Sequence, residues 1–182
     1  MSIIQHFKTF ALLIIFSFVF FNYAKSESPE ESDKKLKEWE KHSENITILD
    51  TNDMLNIVKT KSAVLLDFWK KDIKPKKLDP KKWMPPHRYS ISGAKWIPNA
   101  GLEVLTPELR KYFQETVKRL TKGKKDVKIV CFCRRGYYAK IAAERLVKMG
   151  YTNIFLYPGT DLWEDAGNRL VILKPEAMGS KN

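Results

Sequence analysis

Cysteine and histidine are scarce in this chain of 182 residues. There are two cysteines, Cys131 and Cys133, and three histidines, His6, His42 and His87. A disulfide-stapled scaffold is excluded by that count, because the two thiols sit one residue apart. In an extended strand their Cα atoms would lie about 6.5–7 Å apart, at or beyond the edge of bridging range. A metal centre is excluded in the same way, since neither His42 nor His87 stands at a ligand spacing from the cysteines. No internal repeat is present. The longest apolar run, Phe10 to Phe21, is interrupted by Ser17 and falls short of the roughly 20 residues a membrane span needs.

That run follows Lys8 and precedes Ala24-Lys25-Ser26. A charged start, an apolar middle and small residues at the end are the order of a secretory signal peptide. Residues 1–26 are expected to be removed after Ser26, or else retained as an anchor. Both outcomes export the remainder, to the periplasm if the source is a Gram-negative bacterium, and cleavage leaves no stable span. Removing residues 1–26 takes away two lysines and no acid, which leaves +10 of the net charge of +12. Export argues against nucleic acid as the partner of this basic surface. Much of the excess lies between Lys70 and Lys82, where seven lysines face only Asp72 and Asp79, and Pro75 and Pro80 make the stretch a loop. It is either a solvated basic loop or a docking surface for an acidic partner, a membrane or an anion.

Residues 27–45 are dense in Glu, Lys and Ser and read as a linker. A rhythm of short apolar runs and amphipathic helices then begins. Strands are expected at Ile46–Leu49, Ala63–Phe68, Ala94–Pro98, Val127–Phe132 and Asn153–Leu156. A helix capped by Asp50 or Thr51 carries Met54, Leu55, Ile57 and Val58. Thr106 caps another, with Pro107 first and Leu109, Tyr112, Phe113, Val117 and Leu120 on one face. A third lines up Ala139, Ala142, Ala143, Leu146 and Val147, and a short one starts at Leu162. Continuous apolar strands alternating with helices indicate an α/β fold, with a central, mostly parallel sheet covered on both faces. The domain spans 46–173, and 174–182 form a tail.

In open α/β sheets, ligands bind beyond the carboxyl ends of the strands. There the chain reads Cys133-Arg134-Arg135-Gly136-Tyr137-Tyr138. A thiol at a strand end that opens into a helix receives backbone N–H groups and helix-dipole charge, and both favour the nucleophilic thiolate. Arg134 and Arg135 add charge, and Gly136 allows the turn. Cys131, between Val130 and Phe132, reads instead as a small buried hydrophobe.

The segment Cys133–Tyr138 resembles the C-R-x-G-x-x active loop of rhodaneses. The likeness continues through Ala142–Leu146, Met149–Ile154, Tyr157–Gly159 and Trp163–Gly167, and Ile91–Pro98 resembles the family's second signature. It covers roughly residues 46–173 and implies a single rhodanese-like domain. Arg88–Asn99 and Tyr157–Trp163 further resemble exported rhodanese-like proteins associated with pyrroloquinoline-quinone-dependent alcohol catabolism. Those carry a cysteine pair followed by tryptophan, which this chain lacks. The family often has an arginine two residues after the strand's aspartate, whereas Asp67 is followed by Phe68 and Trp69.

The resemblance implies a sulfurtransferase without cofactor or metal. Cys133 would take a sulfane sulfur from a small sulfur-containing anion, thiosulfate or a polysulfide, and pass it on from a persulfide. Arg134, Arg135, Gly136, Tyr137 and Tyr138 would bind the donor, with Asp67 and Arg88 in support. The tyrosines either pack or form a lid that selects small donors. The alternative is a binding module that docks an exported dehydrogenase or cytochrome through the Lys70–Lys82 loop. A phosphatase of related fold would need arginine where Ala139 stands, and a dithiol oxidoreductase would need C-x-x-C.

Overall fold

The computed structural model describes residues 45–177. The expected signal peptide, all but the last residue of the linker, and residues 178–182 lie outside the described residues.

Five strands form one parallel sheet in the order β1-β6-β5-β2-β4: β1 (Ile46–Ile48), β2 (Val64–Asp67), β4 (Lys95–Trp96), β5 (Ile129–Cys133) and β6 (Ile154–Gly159). Four helices cover it: α1 (Thr51–Thr60), α2 (Pro107–Leu120), α3 (Tyr137–Lys148) and α4 (Thr160–Asp165). The start signals act as expected. The Asp50 carboxylate accepts from the Asp53 amide, and the Thr106 hydroxyl accepts from the Leu109 amide. Gly150, in the left-handed region at φ 83°, follows the last turn of α3. Among the described residues, no helix is long and apolar enough to cross a membrane.

The alternation of side chains splits the core into two layers. Leu66, Phe68, Cys131 and Cys133 pack with Phe113 and Val117 of α2 and with Ala139, Ala142 and Leu146 of α3. Leu65, Val130 and Phe132 pack on the other face with Met54 and Ile57 of α1 and Trp163 of α4. The expected parallel sheet, covered on both faces, is the observed architecture.

Two features differ from expectation. A two-stranded antiparallel ribbon joins β3 (Arg88–Ser90) to β7 (Val171–Leu173). Three-residue strands are too short for a period-2 pattern to register, so neither was expected. Residues past 173 also stay on the domain. Pro175 bridges to Trp96, the Glu176 amide donates to the Trp96 carbonyl at 2.8 Å, and Tyr112 Oη donates to the Glu176 carbonyl at 2.8 Å. The segment covers the open edge that β4 would otherwise present.

Asp67 ends β2 fully buried, at 0% exposure. Its carboxylate accepts from Arg88 Nε at 2.7 Å, Ser90 Oγ at 2.6 Å and the Trp69 amide at 2.9 Å. Arg88 is itself only 8% exposed. A buried charge stripped of its partner costs about 3–5 kcal/mol, whereas an apolar replacement of both partners is often neutral. Asp67→Ala is therefore expected to lower unfolding free energy by about 3–5 kcal/mol in urea titration, and Asp67→Leu with Arg88→Met to recover most of it. A loss below about 1 kcal/mol for the single variant would show that the pair does not hold the strand end.

Candidate active site

The Cys133 side chain lies where β5 ends, on the face covered by α2 and α3. The pairing of β5 with β6 shifts between Cys131 and Cys133, and Cys133 then lies opposite Gly159. Such an irregularity re-aims the chain at a strand end. Arg134, Arg135 and Gly136 make the turn into α3, and Gly136 stands at its N-cap with φ 85°, where a Cβ would be strained. The backbone amides of Ala139, Arg135, Tyr138 and Gly136, gathered by that turn, favour negative charge on the Cys133 sulfur. This is an anion-binding concavity of backbone donors at a helix start.

The thiol is nonetheless closed off, at 1% exposure. Burial pushes its pKa up, and the four amides pull it down by less than burial raises it. Loss of solvent thus outweighs the amides at the resting thiol. Cys131 is completely buried and raised by desolvation alone, in keeping with an inert core residue.

Arg134 and Arg135 point away from the sulfur to a shared partner. Arg134 Nε donates to Asp161 Oδ1 at 2.8 Å, and Arg135 Nε to Asp161 Oδ2 at 2.8 Å. Asp161 lies in the first turn of α4, and its amide donates to the Arg134 carbonyl at 3.2 Å. The turn before it is Gly159, with φ 145°, and a Cβ there would strike the Cys133 and Arg134 carbonyls. Asp161 and Gly159 therefore seat the loop. Sequence reasoning quoted both within the matched segment 157–163 but gave neither a role. The following glycine and acid, with a doubled arginine 26 residues upstream, were the available signal.

Tyr137 and Tyr138 form the rim. Their rings meet edge to face at 5.4 Å, and Tyr138 meets Trp69 at 5.7 Å. The Tyr137 hydroxyl donates to the Glu103 carboxylate. Arg145 of α3 holds the facing loop, donating to the carbonyls of Ala100 at 2.8 Å, Leu102 at 2.5 Å and Glu103 at 2.8 Å. At Gly101 a Cβ would collide with the Tyr138 backbone. Glu103 and Arg145 were also missed, because nothing in their spacing links the 100–103 loop to α3.

Asp67 and Arg88 are brought together, but not against the sulfur. Asp67 projects to the opposite face from its neighbours Leu66 and Phe68, which share the Cys133 layer. The arginine absent after Asp67 is supplied from β3, and Arg88 also stacks over the Trp69 ring at 5.6 Å. Among the described residues, no group of three His, Cys, Asp or Glu is placed to hold a metal.

Residues 79–165 match the family model of the rhodanese-like domain. The chain carries a rhodanese-like domain. Among solved structures, thiosulfate sulfurtransferase from Pseudomonas aeruginosa is similar at 18% identity and a TM-score of 0.52, over 83% of this chain and 24% of that one. This chain thus spans about a quarter of the length of that enzyme. The polysulfide-sulfur transferase homodimer of Wolinella succinogenes is similar at 16% identity and a TM-score of 0.44, over 80% and 93%. An uncharacterized protein of Saccharomyces cerevisiae is similar at 24% identity and a TM-score of 0.41, over 68% and 94%. At these identities the likeness is one of fold. No curated protein matches the sequence.

The raised thiol of the rhodanese-like domain sets two pH dependences. Alkylation of Cys133 by iodoacetamide is expected to be slow at pH 7 and to climb through and beyond the ordinary thiol range near about 8.5; a plateau already at neutral pH would show the amides outweighing burial. An unfolded chain ionises its thiols near that same pH while the folded one keeps them protonated. Urea titrations should therefore show stability intact below about pH 8 and falling as pH rises above it. Stability rising with pH there in wild type relative to Cys133→Ala would contradict the sign.

Proposed function

We propose that the protein is an exported sulfurtransferase that carries sulfane sulfur on Cys133 as a persulfide. The observation that carries this reading is the position of Cys133 at the end of β5, where the turn through Gly136 into α3 gathers backbone amides that favour an anion on its sulfur.

The chemistry follows in two displacements. The Cys133 thiol gives its proton to solvent, and its sulfur attacks the outer sulfur of thiosulfate. The donor's S–S bond breaks, its electron pair leaves with sulfite, and Cys133 becomes a persulfide. A second thiolate then attacks the outer sulfur of that persulfide, and Cys133 leaves as a thiolate. Each intermediate places negative charge on sulfur, where preorganised amides stabilise it at no cost in reorganisation. Burial opposes the first ionisation. Arg134 and Arg135, held by Asp161, attract the anionic donor to the rim.

Kinship with the exported proteins of quinone-dependent alcohol catabolism rests on residues 88–99 and 157–163 and belongs to this proposal. So does export, which rests on residues 1–26. The closed thiol favours a second reading, in which the fold docks a partner without transferring sulfur.

Intact mass spectrometry separates the two. After incubation with thiosulfate or polysulfide, the protein should gain one sulfur atom, and Cys133→Ser should gain none. Wild type that takes up no sulfur from either donor would refute the transferase reading and leave the docking one.

A further inference from the structure

The segment 70–87 leaves the sheet at the carboxyl end of β2 and returns to the same point. Its ends are tied there by the Asp67–Arg88 ion pair, by Arg88 over the Trp69 ring, and by Trp96 Nε1 donating to the Trp69 carbonyl at 2.7 Å. The Lys71 amide adds a bond to Asn99 Oδ1 at 2.8 Å. Between these ties the segment has its own order. Lys74 Nζ donates to the Pro75 and Leu78 carbonyls, and Asp79 caps a short 3₁₀ turn over Pro80–Lys82.

What this ordered excursion presents is unusual for a surface. Lys70, Lys71, Lys76, Lys77, Lys81 and Lys82 are all exposed. Among them Ile73 is 89% exposed and Met84 84%, with Trp83 half-buried beside Met84. Residues 70–87 contain no arginine and one tryptophan. Protein interfaces are enriched in aromatics and arginine and depleted in lysine. Surfaces that lie on anionic lipid combine lysines, which meet headgroups, with isolated apolar side chains that enter the acyl boundary, and tryptophan favours that depth.

We propose that the 70–87 excursion is a docking surface for an anionic lipid membrane, with Ile73 and Met84 inserting between headgroups that the six lysines contact. The inference does not depend on sulfur transfer.

Sedimentation of the full chain with phosphatidylcholine vesicles, with and without about one-third phosphatidylglycerol, tests it. The apolar run at residues 10–21 contributes alike to all variants and both compositions, so differences between them report the excursion. Wild type should bind the anionic vesicles about tenfold or more tightly than the neutral ones, and added salt should abolish the difference. Replacing the six lysines by glutamine should remove that preference, with Lys74 kept so that the turn survives. Ile73→Ser with Met84→Ser should weaken anionic binding severalfold without changing charge. Circular dichroism matching wild type verifies that both variants fold. Equal binding by wild type and the six-lysine variant would overturn the proposal. So would wild type that ignores anionic vesicles yet binds polyglutamate through those lysines, which would assign the excursion to an acidic protein.

Discussion

A buried strand hands over to a helix at Cys133, and two opposing effects meet on one sulfur atom there. Four amide N–H groups favour its anion. Loss of solvent disfavours it and prevails at rest. This balance governs the rest of the site. Gly136 must adopt a left-handed turn for the amides to converge, and Gly159 must lack a side chain for β6 to pass close to the turn. Asp161 holds the two arginines that would otherwise repel each other beside the thiol. The burial comes from the core layer that Cys133 shares with Phe68, Phe113 and Ala139.

The rim is held from several directions. Arg145 ties the 100–103 loop to α3, Glu103 accepts from Tyr137, and Trp69 supports Tyr138. Trp69 is in turn stacked under Arg88, whose guanidinium is half of the buried pair with Asp67. Arg88 Nη2 is buried and finds no partner among the described residues. A chain of contacts thus runs from the base of the lysine-rich excursion to the mouth of the sulfur site.

Much of this was legible in the sequence. Apolar runs of four to six residues and capped amphipathic helices gave the parallel sheet and its cover, because each signal is local and the window is long enough to carry a period. The Cys133 loop was legible as a strand-to-helix turn from Gly136 and the run that follows. The β3–β7 ribbon was not, since its strands are three residues long and pair across some eighty positions. Glu103 and Arg145 were invisible as site residues because their partners lie 34 to 45 residues away in sequence. The net direction of the Cys133 pKa was not legible for another reason. The sequence displays the amides and arginines that lower a thiol pKa, but it does not display the packing that raises it.

The central claim is that backbone amides are organised around a sulfur that accepts a second sulfur. A high-resolution crystal structure of the protein treated with polysulfide examines it directly. The account predicts density for one further sulfur atom on Cys133 Sγ, within hydrogen-bond reach of the Arg135, Gly136, Tyr138 and Ala139 amides. An added sulfur turned away from those amides, or a loop whose N–H groups face elsewhere, would contradict it.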